Sequence, residues 1–310
     1  MTGTPMFLQG DRLLLPGAVI HLPEGRWEPL IDSETQSPLI FPPNIFRSWE
    51  KIFGANVSWK DVFWTQDPQT ERWAAFHPSG NHVMAATFGR DGTLQFHRLL
   101  HAEGWIRPRA SPDGRILFHG RWISFDLQEE IDDRLVVGGV LPGPERQILH
   151  GGLVLGKGKM RPVPGLETLA VHDGILLGER AIAVAKGLLI LANLASGKAA
   201  RIPAKGCVIH PSGVWCGVSN GQLLLGDAEG VRASIRLDIS PWHLEIARFG
   251  DRVFVLSIGS GRPGFDAVLL EWDLESGAVT IRNAIIPATG VRRAGSLLIL
   301  EGPSRASVLA

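Results

Sequence analysis

A short segment that recurs in altered form constrains the fold of this chain more than any other feature. Ala75–Gly80, Ala110–Gly114 and Val208–Gly213 each place a Pro-Ser-Gly or Pro-Asp-Gly turn shortly before an apolar run. Such turns end one β-strand and begin the next, because Pro fixes φ and Gly accepts the positive φ that tight turns need. Copies spaced by about 40 residues are typical of repeating β architectures.

The region 73–130 shows one such unit most clearly. His82–Phe88 and Thr93–Leu100 are predicted strands, and Gly89–Gly92 between them is a predicted hairpin turn. Four antiparallel strands in about 40 residues is the size of one propeller blade. Over 310 residues, this predicts an all-β fold in which 1–310 is a single β-propeller of about seven four-stranded blades, with six as the alternative.

One later unit carries a more specific resemblance. Val268–Trp272 is an apolar run that closes on a Trp-Asp pair and is followed by the turn Asp273–Gly277. This segment resembles the end of a WD40 blade. The resemblance is one of rhythm, since Trp272-Asp273 is the only Trp-Asp pair and the Gly-His dipeptide of WD40 repeats is missing. It implies a WD40-like propeller, a fold that often exposes loops to protein partners.

Residues 23–72 break the rhythm and are predicted to be an irregular insertion within or before the first full blade. Inside them, 44–53 is predicted to be a short helix, with Asn44 as its N-cap and Gly54 at its end. Its apolar residues fall on one face: Ile45, Phe46, Trp49, Ile52 and Phe53.

Two interpretations of this helical face are open. The face packs against the propeller as part of the core, or Trp49 and Phe53 bind a protein partner. The second interpretation makes these two residues candidate binding residues.

A second candidate surface lies at 90–122, where arginines alternate with tryptophans. Arg and Trp are enriched at the energetic centres of protein interfaces. The candidates there are Trp105, Arg107, Arg109 and Trp122. Outward-facing residues of ordinary strands explain the same pattern, so this alternative is also open.

The sequence contains no complete catalytic or metal-binding motif. Gly151–Lys157 begins like a phosphate-binding loop, but Gly158 stands where Ser or Thr should bind magnesium. The histidines show no His-x-His or His-Glu-x-x-His spacing. His77, His172 and His210 occupy equivalent turn positions, where we expect each ring to bond a backbone group of its turn. We therefore predict no catalytic residue, cofactor or bound metal.

Charge and cysteine content narrow the class of protein. Lys plus Arg equals Asp plus Glu, 31 each, which disfavours nucleic acid as a partner. No apolar run reaches the length of a membrane span, and the first residues do not resemble a signal peptide, so we predict a cytoplasmic protein without a membrane partner.

Cys207 and Cys216 flank a predicted turn; reduced thiols are favoured, and a disulfide is the alternative.

These observations predict a non-catalytic platform that mediates protein interaction or complex assembly. The alternative is a propeller hydrolase or lactonase with its active site at the mouth of the central channel. The sequence therefore favours a protein without enzyme activity but leaves an enzyme open. The expected partners are other proteins. Lone propellers of this kind resemble those that act beside AAA ATPases and von Willebrand A-domain proteins in bacterial gene sets, which suggests partners of these two types.

Overall fold

The computed structural model describes most of the chain. The described residues are 5–22, 26–39, 41–67, 69–102, 108–118, 121–131, 141–142, 148–150, 153–156, 159–166, 171, 173–237, 241–259, 267–283, 290–294, 297–301 and 306–309. They fall into two compact units. Unit 1 comprises 1–22 and 27–148, and unit 2 comprises 23–26 and 149–310.

The first half of the chain forms four sheets, each from four consecutive strands. The first contains β1 (Phe7–Gln9), β2 (Arg12–Leu15), β3 (Ala18–His21) and β4 (Arg26–Pro29), and the second contains β5 (Phe63–Gln66), β6 (Trp73–Ser79), β7 (His82–Phe88) and β8 (Leu94–His101). The third contains β9 (Arg109–Ala110), β10 (Ile116–Phe118), β11 (Arg121–Ile123) and β12 (Glu129–Ile131), and the fourth contains β13 (Leu141–Pro142), β14 (Ile148–His150), β15 (Leu153–Gly156) and β16 (Lys159–Pro162).

The second half continues in the same order. The fifth sheet contains β17 (Asp173–Leu177), β18 (Arg180–Ala185), β19 (Leu188–Asn193) and β20 (Lys198–Pro203), and the sixth contains β21 (Lys205–Ile209), β22 (Trp215–Ser219), β23 (Gln222–Asp227) and β24 (Gly230–Arg236). The seventh contains β25 (Pro241–Phe249), β26 (Arg252–Gly259), β27 (Ala267–Asp273) and β28 (Val279–Asn283), and a three-stranded sheet contains β29 (Gly290–Ala294), β30 (Leu297–Glu301) and β31 (Ala306–Leu309).

This series of short antiparallel sheets, each made of strands consecutive in the chain, is the blade pattern of a propeller. Seven of the eight sheets in the described residues have four strands. The predicted fold, an all-β, WD40-like propeller with a short helix near 44–53, is confirmed. That 1–310 is one domain with an insertion at 23–72 stays a prediction.

The predicted helix is present as α1 (Pro43–Phe53). Its N-cap is Pro42 rather than Asn44, and no side chain caps it. The prediction of the cap was wrong because Pro43 fits the first helical turn, where its missing N–H has no intrahelical partner to lose. Gly54 ends the helix as expected, at φ 90°. A short 3-10 helix (Trp59–Asp61) follows, and its first turn donates to the Ser58 hydroxyl.

Sheet β5–β8 has different neighbours on its two faces. On one face an aromatic cluster fills the space beneath α1, and its members are Phe7, Phe41, Trp49, Trp64, Trp73 and Phe88. Trp49 of α1 stacks on Trp64 of β5, with ring centroids 5.6 Å apart. On the other face, Phe76 and Val83 pack against Ile116 and Phe118 of the next sheet. The helix therefore covers one side of β5–β8 together with β1, which contributes Phe7.

The sheets of unit 2 pack on one another mainly through aliphatic side chains, with one buried tryptophan in each of the two interfaces described below. Sheet β17–β20 contacts sheet β21–β24 through Leu189, Leu191, Trp215 and Leu224. The next interface, between β21–β24 and β25–β28, uses aliphatic residues such as Leu225. Alternate residues of each strand face opposite sheets, so the middle strands are buried on both sides.

Candidate interaction surface

Trp49 and Phe53, the candidates on the helix, lie in the core of unit 1. Only 2% of Trp49 is exposed, and Phe53 is also buried. The Trp49 indole N–H donates to the Val57 carbonyl, 3.0 Å away. The Phe53 ring contacts Trp49 on one side and the edge of His77 on the other. These side chains hold α1 on the sheet, and the exposed side of α1 carries polar residues such as Arg47 and Lys51.

Of the four candidates at 90–122, the structure describes Arg109 and Trp122, and neither is exposed. Trp122 is 2% exposed and faces inward from β11, while Arg109 is half-buried on β9. Trp105 and Arg107 lie outside the described residues. The alternation of Arg and Trp thus matches the alternation of the two faces of a strand, with Trp122 turned to the core.

The arginines that point outward from this region have acidic partners. Arg90 pairs with Glu71 at 3.2 Å. Arg98 and Arg121 both pair with Glu129, which belongs to the acidic run of the sequence. The acidic partners are half-buried, and the pairs neutralise much of the positive charge of the region.

The fourth strand of sheet β5–β8 is the most exposed apolar strand of the described chain. Five consecutive residues of β8, Gln95–Leu99, are exposed. Phe96 is 43% and Leu99 51% exposed. Side chains on both faces of a strand are exposed only where neither of the adjacent layers of structure covers it. In the described residues, no further strand pairs with the outer edge of β8.

The same position is exposed in other sheets. Large exposed apolar residues of the described chain are Ile31, Phe96, Leu99, Val231 and Ile281. All except Ile31 lie on a fourth strand, since Val231 belongs to β24 and Ile281 to β28. β8 differs in carrying two of them within four residues.

The backbone of β8 presents alternate residues to its free edge. The Ala102 N–H donates to the Asn81 carbonyl, 3.0 Å away, one step beyond the facing pair His82 and His101. Because hydrogen-bonded and non-hydrogen-bonded pairs alternate in an antiparallel ladder, Arg98 directs its N–H and C=O to β7. By the same alternation, His97 and Leu99 direct theirs outward.

The histidines near this surface contact one another and the backbone. His82 and His101 face each other across β7 and β8, with ring centroids 5.5 Å apart. Nδ1 of His77 lies 3.4 Å from the Asp61 carbonyl, a backbone group outside its own turn. Among the described residues there is no group of three or more His, Cys, Asp or Glu side chains that could hold a metal.

The other two turn histidines have different outcomes. Nδ1 of His210 accepts from the Ser212 backbone N–H at 3.1 Å, as predicted for a turn histidine. His172 lies outside the described residues. His77 and His210 therefore occupy equivalent positions in the sequence but make different contacts.

Cys207 and Cys216 are free thiols. A bulge between Lys205 and Val208 in β21 shifts the register, so Cys216 faces Val208 rather than Cys207. Burial raises the pKa of Cys207 to about 11 and also raises the pKa of Cys216. Thiols with raised pKa values are poor nucleophiles at neutral pH, because little thiolate forms.

Sequence reasoning missed the exposed strand β8. Its apolar residues alternate with polar ones, as in a half-buried strand, and this pattern does not distinguish a middle strand from an outer one. The absence of acidic residues between Leu94 and His101 was the available signal. Whether a strand is buried on both faces depends on the segments that pack beside it. The local sequence of the strand does not identify those segments.

Comparison with known proteins finds similarity at the level of solved structures. No protein-family model and no curated protein matches the chain. The WD40 domain of Neurospora crassa Pan2 matches at 11% identity over 76% of this chain and 71% of that chain, with a TM-score of 0.35. The CNH domain of AfRom2 matches at 7% identity over 99% and 94%, with a TM-score of 0.37. A prolyl endopeptidase matches at 9% identity over 96% and 53%, with a TM-score of 0.45.

Within the part of the chain that the structure describes, no helix has the length and apolar character needed to cross a membrane.

Proposed function

We propose that this protein is a non-catalytic platform that binds other proteins through the outer strands of its sheets. The observation that carries the proposal is β8, an outer strand on which Phe96 and Leu99 are both exposed, one on each face. Exposed apolar residues scattered singly are ordinary on protein surfaces, whereas β8 carries two large ones within four residues. The candidates Trp49 and Trp122 are buried and do not contribute to this surface.

The surface suits a protein partner by its chemistry. Phe96 and Leu99 supply one exposed apolar side chain on each face of the strand, and the exposed guanidinium of Arg98, on the face of Phe96, supplies a directional hydrogen-bond donor. Aromatic and Arg side chains at the centre of a patch are the residues that contribute most to protein association. An AAA ATPase or a von Willebrand A-domain protein is the partner that the resemblance suggests, and both belong to the proposal as candidates to be tested.

The test is comparative capture from the native host. Full-length tagged protein is cross-linked in cells and purified, beside the double variant F96S/L99S and the control I31S. Ile31 is also exposed but lies outside the strands, just after β4, in an isolated bridge with Pro38. We expect the same proteins to be captured by the wild type and by I31S, and at least one to be lost with F96S/L99S.

Equal capture by all three proteins would contradict the proposal that β8 is the binding surface. Absence of any cross-linked protein from the wild type would contradict the platform function itself. Circular dichroism and thermal unfolding of each variant must match the wild type, so that loss of capture is not loss of fold.

A further inference from the structure

We propose that the free edge of β8 binds an extended acidic segment of a partner protein as an additional antiparallel or parallel strand of the sheet. This inference rests on the proposed platform function and names the partner's chemistry. It follows from three properties of one strand: its backbone edge, its exposed side chains and its charge.

The backbone edge offers a template for another strand. His97 and Leu99 present N–H and C=O groups outward, spaced as in an antiparallel ladder. Strands exposed in this way are recognised by β-augmentation, in which main-chain hydrogen bonds supply affinity and alternate side chains supply specificity. Native proteins protect such edges with proline, charge or a covering segment; Gln95–Leu99 contains no proline, and its one charged residue is Arg98, whose backbone groups point to β7.

The side chains define what the added strand must carry. Phe96 and Arg98 lie on the face of β8 that turns to sheet β9–β12, and Leu99 lies on the opposite face beside α1. A bound segment would lay apolar residues beside Phe96 and Leu99. It would place a residue next to Arg98 on the same face.

Charge selects a carboxylate for that residue. β8 contains no acidic residue. The side chain of Arg98 is 51% exposed, and its contacts with Glu129 and the Leu127 carbonyl both use Nη1. Within the described residues, Nε and Nη2 of Arg98 remain available for a second carboxylate, which guanidinium binds well in a fork geometry. A second copy of β8 brings no carboxylate to this position, so charge favours a different, acidic partner segment.

The experiment uses the full-length chain and a displayed library of random twelve-residue peptides as the probe. We expect the enriched peptides to contain Asp or Glu with apolar residues at alternate positions. Residue-specific amide hydrogen exchange then locates the best peptide. Binding should slow exchange at His97 and Leu99, while Arg98, already bonded to β7, changes little.

A matched pair of variants isolates the backbone contribution. H97P and H97A both lose the imidazole, but only H97P also loses the outward N–H, a change that edge strands tolerate. We expect H97P to weaken the peptide at least about tenfold and H97A by less than about threefold, as for loss of one main-chain hydrogen bond. R98Q should remove the preference for acidic peptides.

Several results would overturn the proposal. Equal affinities of folded H97P and H97A exclude strand addition. Unchanged exchange at His97 and Leu99 in the presence of bound peptide places the peptide elsewhere and leaves the platform function standing. Selective binding of a single-stranded oligonucleotide at β8, or concentration-dependent dimerisation that H97P abolishes, assigns the edge to nucleic acid or to a second copy.

Discussion

Sheets β5–β8 and β17–β20 have the same strand order and an exposed fourth strand, yet they differ in what covers them and in what they expose. In β5–β8, α1 and an aromatic cluster cover one face, and β8 exposes Phe96 and Leu99. In β17–β20, aliphatic side chains pack on the next sheet, and β20 exposes Lys, Arg and Ala but no large apolar residue. Because the two sheets share their strand order, their side chains determine what packs against each sheet and what each sheet exposes.

The turns before the two fourth strands show the same contrast. Asp91 accepts hydrogen bonds from the Thr93 N–H and hydroxyl, at 2.9 and 2.7 Å. Asn193 accepts from the Ser196 N–H at 3.0 Å. One turn is thus capped by a carboxylate and the other by a neutral amide. Only the first of these turns is held by a titratable side chain.

The largest expected effect concerns the helical cover. Trp49→Ala should lower the free energy of unfolding by about 3–5 kcal/mol, since it empties the space between α1 and Trp64. Leu189→Ala in sheet β17–β20 should cost about 2–5 kcal/mol by the same cavity mechanism. Chemical denaturation measures both. Limited proteolysis should cut near α1 in W49A alone; unchanged stability of W49A would show that α1 is a dispensable appendage.

The next effect separates two turn glycines. A methyl group at Gly92, whose φ is 83°, would lie 2.4 Å from Cδ1 of Ile45, whereas at Gly197, with φ 69°, it meets nothing within 4 Å. We expect G92A to cost about 2–4 kcal/mol, from left-handed backbone strain and displacement of Ile45. G197A should cost roughly 1–2 kcal/mol from the backbone alone. Equal losses of unfolding free energy in G92A and G197A would mean that α1 moves aside at no cost in free energy.

A smaller effect distinguishes the turns by pH. The Thr93 hydroxyl bond holds the pKa of Asp91 below the usual range. The ionised carboxylate therefore stabilises the turn fully above the ordinary Asp value of about 3.9, and this contribution is lost as the pH falls through the lowered pKa.

Because Asp91 is exposed, we expect D91N to reduce the acid dependence of unfolding by only about 0.5 kcal/mol, and N193A to leave it unchanged. The measurement is the free energy of unfolding between pH 7 and the acid limit of reversible folding. An unchanged acid dependence in D91N would show that the Thr93 bonds do not stabilise the ionised form.

The smallest stability effect belongs to the outer strands. F96S/L99S should change the free energy of unfolding by within about 0.5 kcal/mol, as should A199S/A200S, because exposed positions contribute little. Only the first pair should lose the partner captured by the wild type. Loss of stability in F96S/L99S would indicate that β8 is part of the core and would remove the distinction between the two fourth strands.

Much of this architecture follows from the sequence alone. The spacing of Pro-Ser-Gly and Pro-Asp-Gly turns predicts four-stranded units, because turn residues and period-2 alternation are local properties. The hairpin at Gly89–Gly92 and the helix ending at Gly54 are found where they were predicted. The N-cap was misassigned because two successive prolines, at 42 and 43, compete with Asn44 for the start of the helix.

What only the tertiary structure decided is which apolar residues are covered. Trp49 and Phe96 are both aromatic residues in amphipathic elements, yet one is buried beneath its helix and the other is exposed on an outer edge. Their local sequences cannot distinguish them, because burial depends on layers contributed by distant parts of the chain. The repeated turn therefore determined the strands and their pairing, while packing between sheets and helix determined which apolar residues remain exposed.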